Sequence, residues 1–133
     1  MLKRKKKTLA ERKALPNNTY WRNKADEAFM SQFRGLQCQV CGKTEGTVFH
    51  HIVSKSRSKH LRYDRMNGVI LCKSHHMTSN ELAPHSTNSL ALGRFIDWLR
   101  LAEPGKVAYC EKMEHVKTRK TFRDMYEELL DLQ

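Results

Sequence analysis

The chain has 133 residues, 29% of them charged, and a net charge of +11. It holds no apolar run near the ~18 residues that a membrane span requires, and its basic start, MLKRKKKTLAERKAL, lacks the apolar segment of a secretory signal. These features argue against a membrane or secreted protein and make a cytoplasmic domain of ordinary size the expectation.

The charge is unevenly spread. Residues 1–96 carry 18 Lys/Arg against 6 Asp/Glu, whereas residues 97–133 carry 7 against 8. An excess concentrated in this way is a footprint for polyphosphate, with nucleic acid the obvious partner. A solvated basic face is the bland alternative.

In chain order, residues 1–17 show no sustained apolar period and are expected as a flexible basic arm, with residues 18–133 as one domain. Trp21, Ala25, Ala28, Phe29 and Phe33 recur at helical spacing, Asn18 or Thr19 can cap the start, and Gly35 can end the stretch. QCQVCGKTEG is turn-rich. TVFHHIV reads as a strand, SKSRSKHLRYDRMN as a basic loop and GVILC as a second strand. A short helix is expected from Cys72 to about Ala83, stopped by Pro84. Leu92, Phe95, Ile96 and Leu99 mark another helix, ended by EPG at 103–105. Phe122, Met125, Tyr126, Leu129 and Leu130 mark the last, with Thr121 as its cap. These apolar stripes, and Trp98, are expected in the core. The fold class is therefore α+β.

Cys38-x2-Cys41 and Cys72-x2-His75 are two knuckles with 30 residues between them. Two such pairs commonly hold one tetrahedral zinc, each from a tight turn. A hairpin this small has little core of its own, so a structural Zn2+ would fix the fold. Cys110 lies away from the knuckles and is expected as a small buried hydrophobe. His60 and His115, set among charges, are expected at the surface.

The zinc leaves histidines over. His50 and His51 are adjacent, as are His75 and His76, and three of these four have no place in the knuckle. Hydrolysis of a phosphodiester needs a base for water, a cation against developing charge, and a group to aim the base. The spare histidines and Asn67 suit that chemistry.

FHHIVSK and MNGVILCKSHHMTSN together resemble the motif of the HNH (ββα-metal) endonucleases with a zinc knuckle. The resemblance implies a small ββα core flanked by N- and C-terminal helices. It implies roles for four residues: His50 and His76 as ligands of a catalytic divalent ion (Mg2+, Mn2+ or similar), His51 as general base, and Asn67 as the residue that constrains the base. Some relatives lack a histidine or acid at the position of His50. The flanks NKADEAFMSQF, LAPHSTNSLALGRFIDWL and TRKTFRDMYEELLDL resemble phage NinG/Rap-type recombination endonucleases, which would put the chain in the host cytoplasm. The expected function is then a metal-dependent DNA endonuclease of phage or prophage recombination, acting on duplex, branched or junction DNA. A junction cutter would favour a homodimer. The alternative is a non-catalytic, zinc-stabilised nucleic-acid-binding module.

The loop cations Lys55, Arg57, Lys59, Arg62 and Arg65 are expected to position phosphate without reading bases; Tyr63 is expected to pack under the loop. Two residues compete as a third ligand of the catalytic ion. Asn80 would share the face of His76 on a continuous helix. His85 is the better donor for a transition metal but needs the chain to turn back beyond Pro84. His85 is the expectation.

Overall fold

The computed structural model describes residues 3–132, which form two compact units. One comprises the N-terminal residues through Ser31 together with the residues from Arg119 onward, and the other comprises Gln32–Thr118.

The first unit is helical. Within the segment expected as a flexible arm, Leu9–Lys13 forms a short helix, α1, whose cap Thr8 accepts from Glu11 N. The helix buries no residue, so its local cap rather than a core face accounts for it. Next, α2 spans Thr19–Met30 with Asn18 as its cap and Ala25 and Phe29 buried. Across the unit lies the last helix, which buries Met125 and Leu129; it is numbered α5 and spans Phe122–Asp131. Thr121 and Asp124 cap it reciprocally, satisfying two backbone donors at its start. Two bonds tie the end of the basic segment to α5: Arg123 N donates to Pro16 O, and Phe122 N donates to Asn17 Oδ1.

The second unit is built on a two-stranded antiparallel sheet. Strand β1 (Val48–His51) pairs with β2 (Gly68–Leu71) in the register Val48↔Leu71, Phe49↔Ile70, His50↔Val69 and His51↔Gly68. A two-stranded sheet is marginal alone. Here Val69 and Leu71 join Cys38, Cys72, Phe95 and Leu99 in a buried cluster, and Val53, Leu61 and Cys110 form a second.

The helix expected over 72–83 is a single wide turn, Ser74–Thr78, closed by Ser79 N donating to Ser74 O five residues back. It stops because Ser79 turns extended (ψ 132°) and its hydroxyl accepts from Glu81 N and Leu82 N, offering the backbone a competing turn. Helix α3 follows at Ser89–Ala102, capped by Asn88. Ala91, Phe95 and Leu99 face its core, but Leu92 and Ile96, expected there too, are 40% and 42% exposed. They sit beside the buried stripe and border a cleft.

EPG at 103–105 ends α3 as expected, but it does not end the helical structure. It is a corner at which Pro104 opens a further helix, α4 (Pro104–Met113). Proline fits there because the first helical N–H has no intrahelical partner to lose. Among the described residues no helix is long and apolar enough to cross a membrane.

Candidate metal centres and catalytic cleft

The knuckle residues come together as their spacing predicts. Cys38, Cys41, Cys72 and His75 offer donor atoms that all lie within 4.8 Å of one another. Cys41 Sγ is 3.7 Å from Cys72 Sγ, Cys72 Sγ is 3.3 Å from His75 Nδ1, and Cys38 Sγ is 3.9 Å from the same nitrogen. Tetrahedral zinc with ordinary Zn–S and Zn–N bonds would set such donors ~3.5–3.8 Å apart. The donor set fits the ion.

Local structure prepares these ligands. Cys38 N donates to Lys43 O and Gly42 N to Cys38 O, closing the first knuckle around Gly42, whose φ of +79° suits glycine. Gln39 pins that knuckle to the sheet, with its N donating to Ile70 O and its side-chain oxygen accepting from Ile70 N. Burial opposes a thiolate at Cys38. The backbone N–H groups of Cys72, Cys41 and Val40 directed at its sulfur outweigh that and hold its pKa below the usual thiol value.

A second cluster stands on the neighbouring histidines. His50 leaves β1, His76 follows His75 in the wide turn, and His85 returns from beyond Pro84. Their ring centroids are 5.2 Å (His50–His76), 4.9 Å (His50–His85) and 4.7 Å (His76–His85) apart, and one nitrogen of each lies within 4.8 Å of the others. The return of His85 is fixed by the main chain, since His85 N donates to His76 O at 3.1 Å. Asn80 lies past the end of the turn and is exposed, so it does not share the helical face on which its candidacy rested.

Burial lowers the pKa of His50 to about 3, and the nearby imidazoles of His76, His85 and His51 push it the same way. His76 is lowered to about 4, first by burial and then by His85. Both rings are therefore neutral at pH 7, the form that can donate to a metal.

His51 sits beside this cluster, on the next residue of the strand, and its ring is held differently. His51 Nε2 lies 2.8 Å from Arg62 O. A carbonyl can only accept, so Nε2 carries the proton and the neutral ring has its lone pair on Nδ1. Asn67 is fully buried, and its side chain bonds to the loop backbone. Oδ1 accepts from Val53 N at 2.8 Å, while Nδ2 donates to Val53 O at 3.0 Å and Leu61 O at 3.1 Å. Asn67 thus fixes the loop that carries the carbonyl under His51.

His50, His51 and His85 form one wall of a cleft of about 600 Å3 whose other side is α3 and α4. The loop cations do not all face outward. Lys55, Arg57 and Arg65 are exposed and Lys59 is half-buried, but Arg62 is buried, with Nη1 donating to Lys55 O. Its guanidinium ties the loop to itself, which corrects the expectation that it lies on the phosphate-facing surface. Arg65 bonds Gln32 and lies over the Phe33 ring, and Arg57 pairs with Glu114 at 3.7 Å. Cys110 is buried as expected, and His115 is exposed beside Glu114.

Residues 38–81 match the HNH endonuclease family. No curated protein and no solved structure matches the chain. The HNH segment spans both knuckles, both strands and the wide turn, so all the clustered ligands except His85 lie inside it. The match points this segment to a nuclease or nucleic-acid-related class of function.

One residue of the HNH segment went unread in the sequence. Gly68 opens β2, and a Cβ there would stand 2.2 Å from Phe49 Cζ and 2.5 Å from His50 O. Phe49 is itself buried against Phe33, ring centroids 4.6 Å apart, and the His50 carbonyl belongs to the strand backbone, so relief requires β1 to move. A glycine at a strand end is the available signal for such a close approach. Gly68→Ala is expected to lower the urea midpoint by an amount equivalent to ~1–3 kcal/mol or more, by forcing β1 and its two histidines away. A wild-type midpoint followed by circular dichroism would contradict the contact.

Proposed function

We propose that this protein is a metal-dependent DNA endonuclease whose general base is His51 and whose catalytic divalent ion is held by His50, His76 and His85. The observation that carries the reading is the convergence of three imidazoles beside a fourth whose tautomer is set by a backbone carbonyl. The HNH match, which covers His50, His51 and His76 but not His85, supports it.

His51 has a defined task in this reading. Its Nδ1 lone pair takes the proton of the attacking water, and the imidazolium that results keeps its Nε2–H on Arg62 O. Asn67 keeps that carbonyl in place through Leu61 and Val53. A divalent ion at the three histidines would supply positive charge against the phosphate as it becomes pentacoordinate. An all-imidazole set suits Mn, Co, Ni or Zn better than Mg2+, which prefers oxygen. The exposed Lys55 and Arg57 lie on the loop that follows His51, where cations can meet the phosphates flanking the scissile bond. The reading extends, on the resemblance of the flanks, to branched DNA in phage or prophage recombination.

Plasmid nicking by purified protein tests the proposal. Activity is expected to vanish in chelator and return with Mn2+, Co2+ or Ni2+ at lower concentration than with Mg2+. His85→Ala is expected to need at least ~10-fold more ion for half-maximal rate, and Asn80→Ala none. Nicking that survives chelation would refute the metal-dependent reading, and a wild-type titration for His85→Ala would remove His85 from the site.

A further inference from the structure

Helix α4 lies outside the HNH segment, and one of its faces is turned to the loop between the two strands. Positions 106, 109, 110 and 113 follow the i, i+3, i+4, i+7 rule for one helical face. Lys106 Nζ donates to Gly68 O at 2.8 Å. The hydroxyl of Tyr109 donates to the Asp64 carboxylate, whose other oxygen accepts from Met66 N at 2.9 Å. Cys110 Sγ lies 3.4 Å from Asn67 Oδ1 and 3.7 Å from Met66 O. Met113 packs with Tyr109 on the cluster of Val53, Leu61 and Cys110.

A helix serving only as packing would present apolar side chains to the loop. This one presents three hydrogen-bond donors, each aimed at a different acceptor between Asp64 and Gly68. The loop it grips is the one whose Leu61 carbonyl is held by Asn67 and whose Arg62 carbonyl is held under His51. From this geometry we propose that Tyr109 and Cys110 are positioning residues for the general base, acting through Asp64, Asn67 and the Arg62 carbonyl. The proposal rests on His51 being the base.

Both groups are kept in the donor form. The hydrogen bond to Asp64, with burial and the Asp64 charge behind it, raises Tyr109 to about 12. Burial, then the charge of Asp64, raises Cys110 to about 11, with Lys106 opposing and Glu114 adding to the rise. A hydroxyl and a thiol that do not ionise near neutral pH hold one hydrogen-bond pattern throughout the working range. Misplacing a reacting group by about 1 Å can cost on the order of 10²-fold in rate, so a loosened loop would show in turnover before it showed in binding.

The test uses the full zinc-loaded protein with saturating divalent ion. Tyr109→Phe and Cys110→Ala are each expected to lower single-turnover nicking by ~10- to 10²-fold, with DNA affinity, bound zinc and unfolding midpoint near wild type. Cys110→Ser, which keeps a donor of similar size, is expected to recover much of the loss. In the His51→Ala background neither change is expected to cost anything further, because the group being positioned is gone. If His51→Ala is inactive while Tyr109→Phe and Cys110→Ala turn over normally, the positioning role is overturned and the base assignment stands. Normal turnover by His51→Ala overturns both. Equal losses in the two backgrounds would make Tyr109 and Cys110 structural and reject their action through the base.

Discussion

Replacing His51 with alanine is expected to reduce DNA nicking by ~10²–10⁴-fold, the usual cost of losing a general base, while DNA affinity stays near wild type. The side chain touches neither metal cluster as a ligand, so its removal leaves both donor sets intact. It also leaves β1 in place, since the strand is held by its ladder to β2 and by the burial of Phe49. Single-turnover nicking at saturating divalent ion, paired with fluorescence anisotropy on the same DNA, separates the two quantities. Normal turnover by the variant would remove His51 from the chemistry; lost binding would make it a contact residue.

Cys72→Ser is expected to fail at an earlier stage, with loss of bound zinc and of cooperative unfolding. Structural zinc contributes ~10–16 kcal/mol of apparent binding free energy in small finger domains, more than a two-stranded sheet of four-residue strands can replace. Two of the four donors, Cys38 and Cys72, also belong to the buried cluster formed with Val69, Leu71, Phe95 and Leu99. A serine would therefore remove a ligand and bury a hydroxyl in the same place. Elemental analysis of the pure wild type should return one tightly held zinc per chain. Its absence, or a sharp thermal transition in zinc-free Cys72→Ser, would refute the structural role.

What could be read from the sequence follows from how local each signal was. The knuckles were legible because each pair of ligands is set by one tight turn, and the strands because short β-branched runs flank the basic loop. The cap Thr121, and Asn18 as one of two candidates with Thr19, are legible for the same reason. α4 was missed because Pro104 reads equally as the end of one helix and the first residue of the next, and because only Cys110 on it is fully buried. The shortness of the turn after Cys72 is not legible because its end depends on one serine hydroxyl capping the following turn. His85 could be nominated by donor chemistry, but its proximity depends on a main-chain bond to His76 that no pattern announces. The burial of Arg62 is not legible because a run of basic residues does not say which guanidinium is needed indoors.

Consecutive residues of the Ser74–Thr78 turn, His75 and His76, belong to different donor clusters. Only one peptide link lies between them, and His76 N donates to the carbonyl of Cys72, itself a member of the first cluster. An ion at the knuckle that orders this turn also orders His76, and lowers the entropy that the second cluster must lose to close on its own ion. Linkage makes the relation reciprocal: whatever factor the first ion adds to the affinity of the second, the second returns to the first. Metal loading of such a protein would then be a cooperative property of the folded chain, with the second cluster closing more readily where the first is filled.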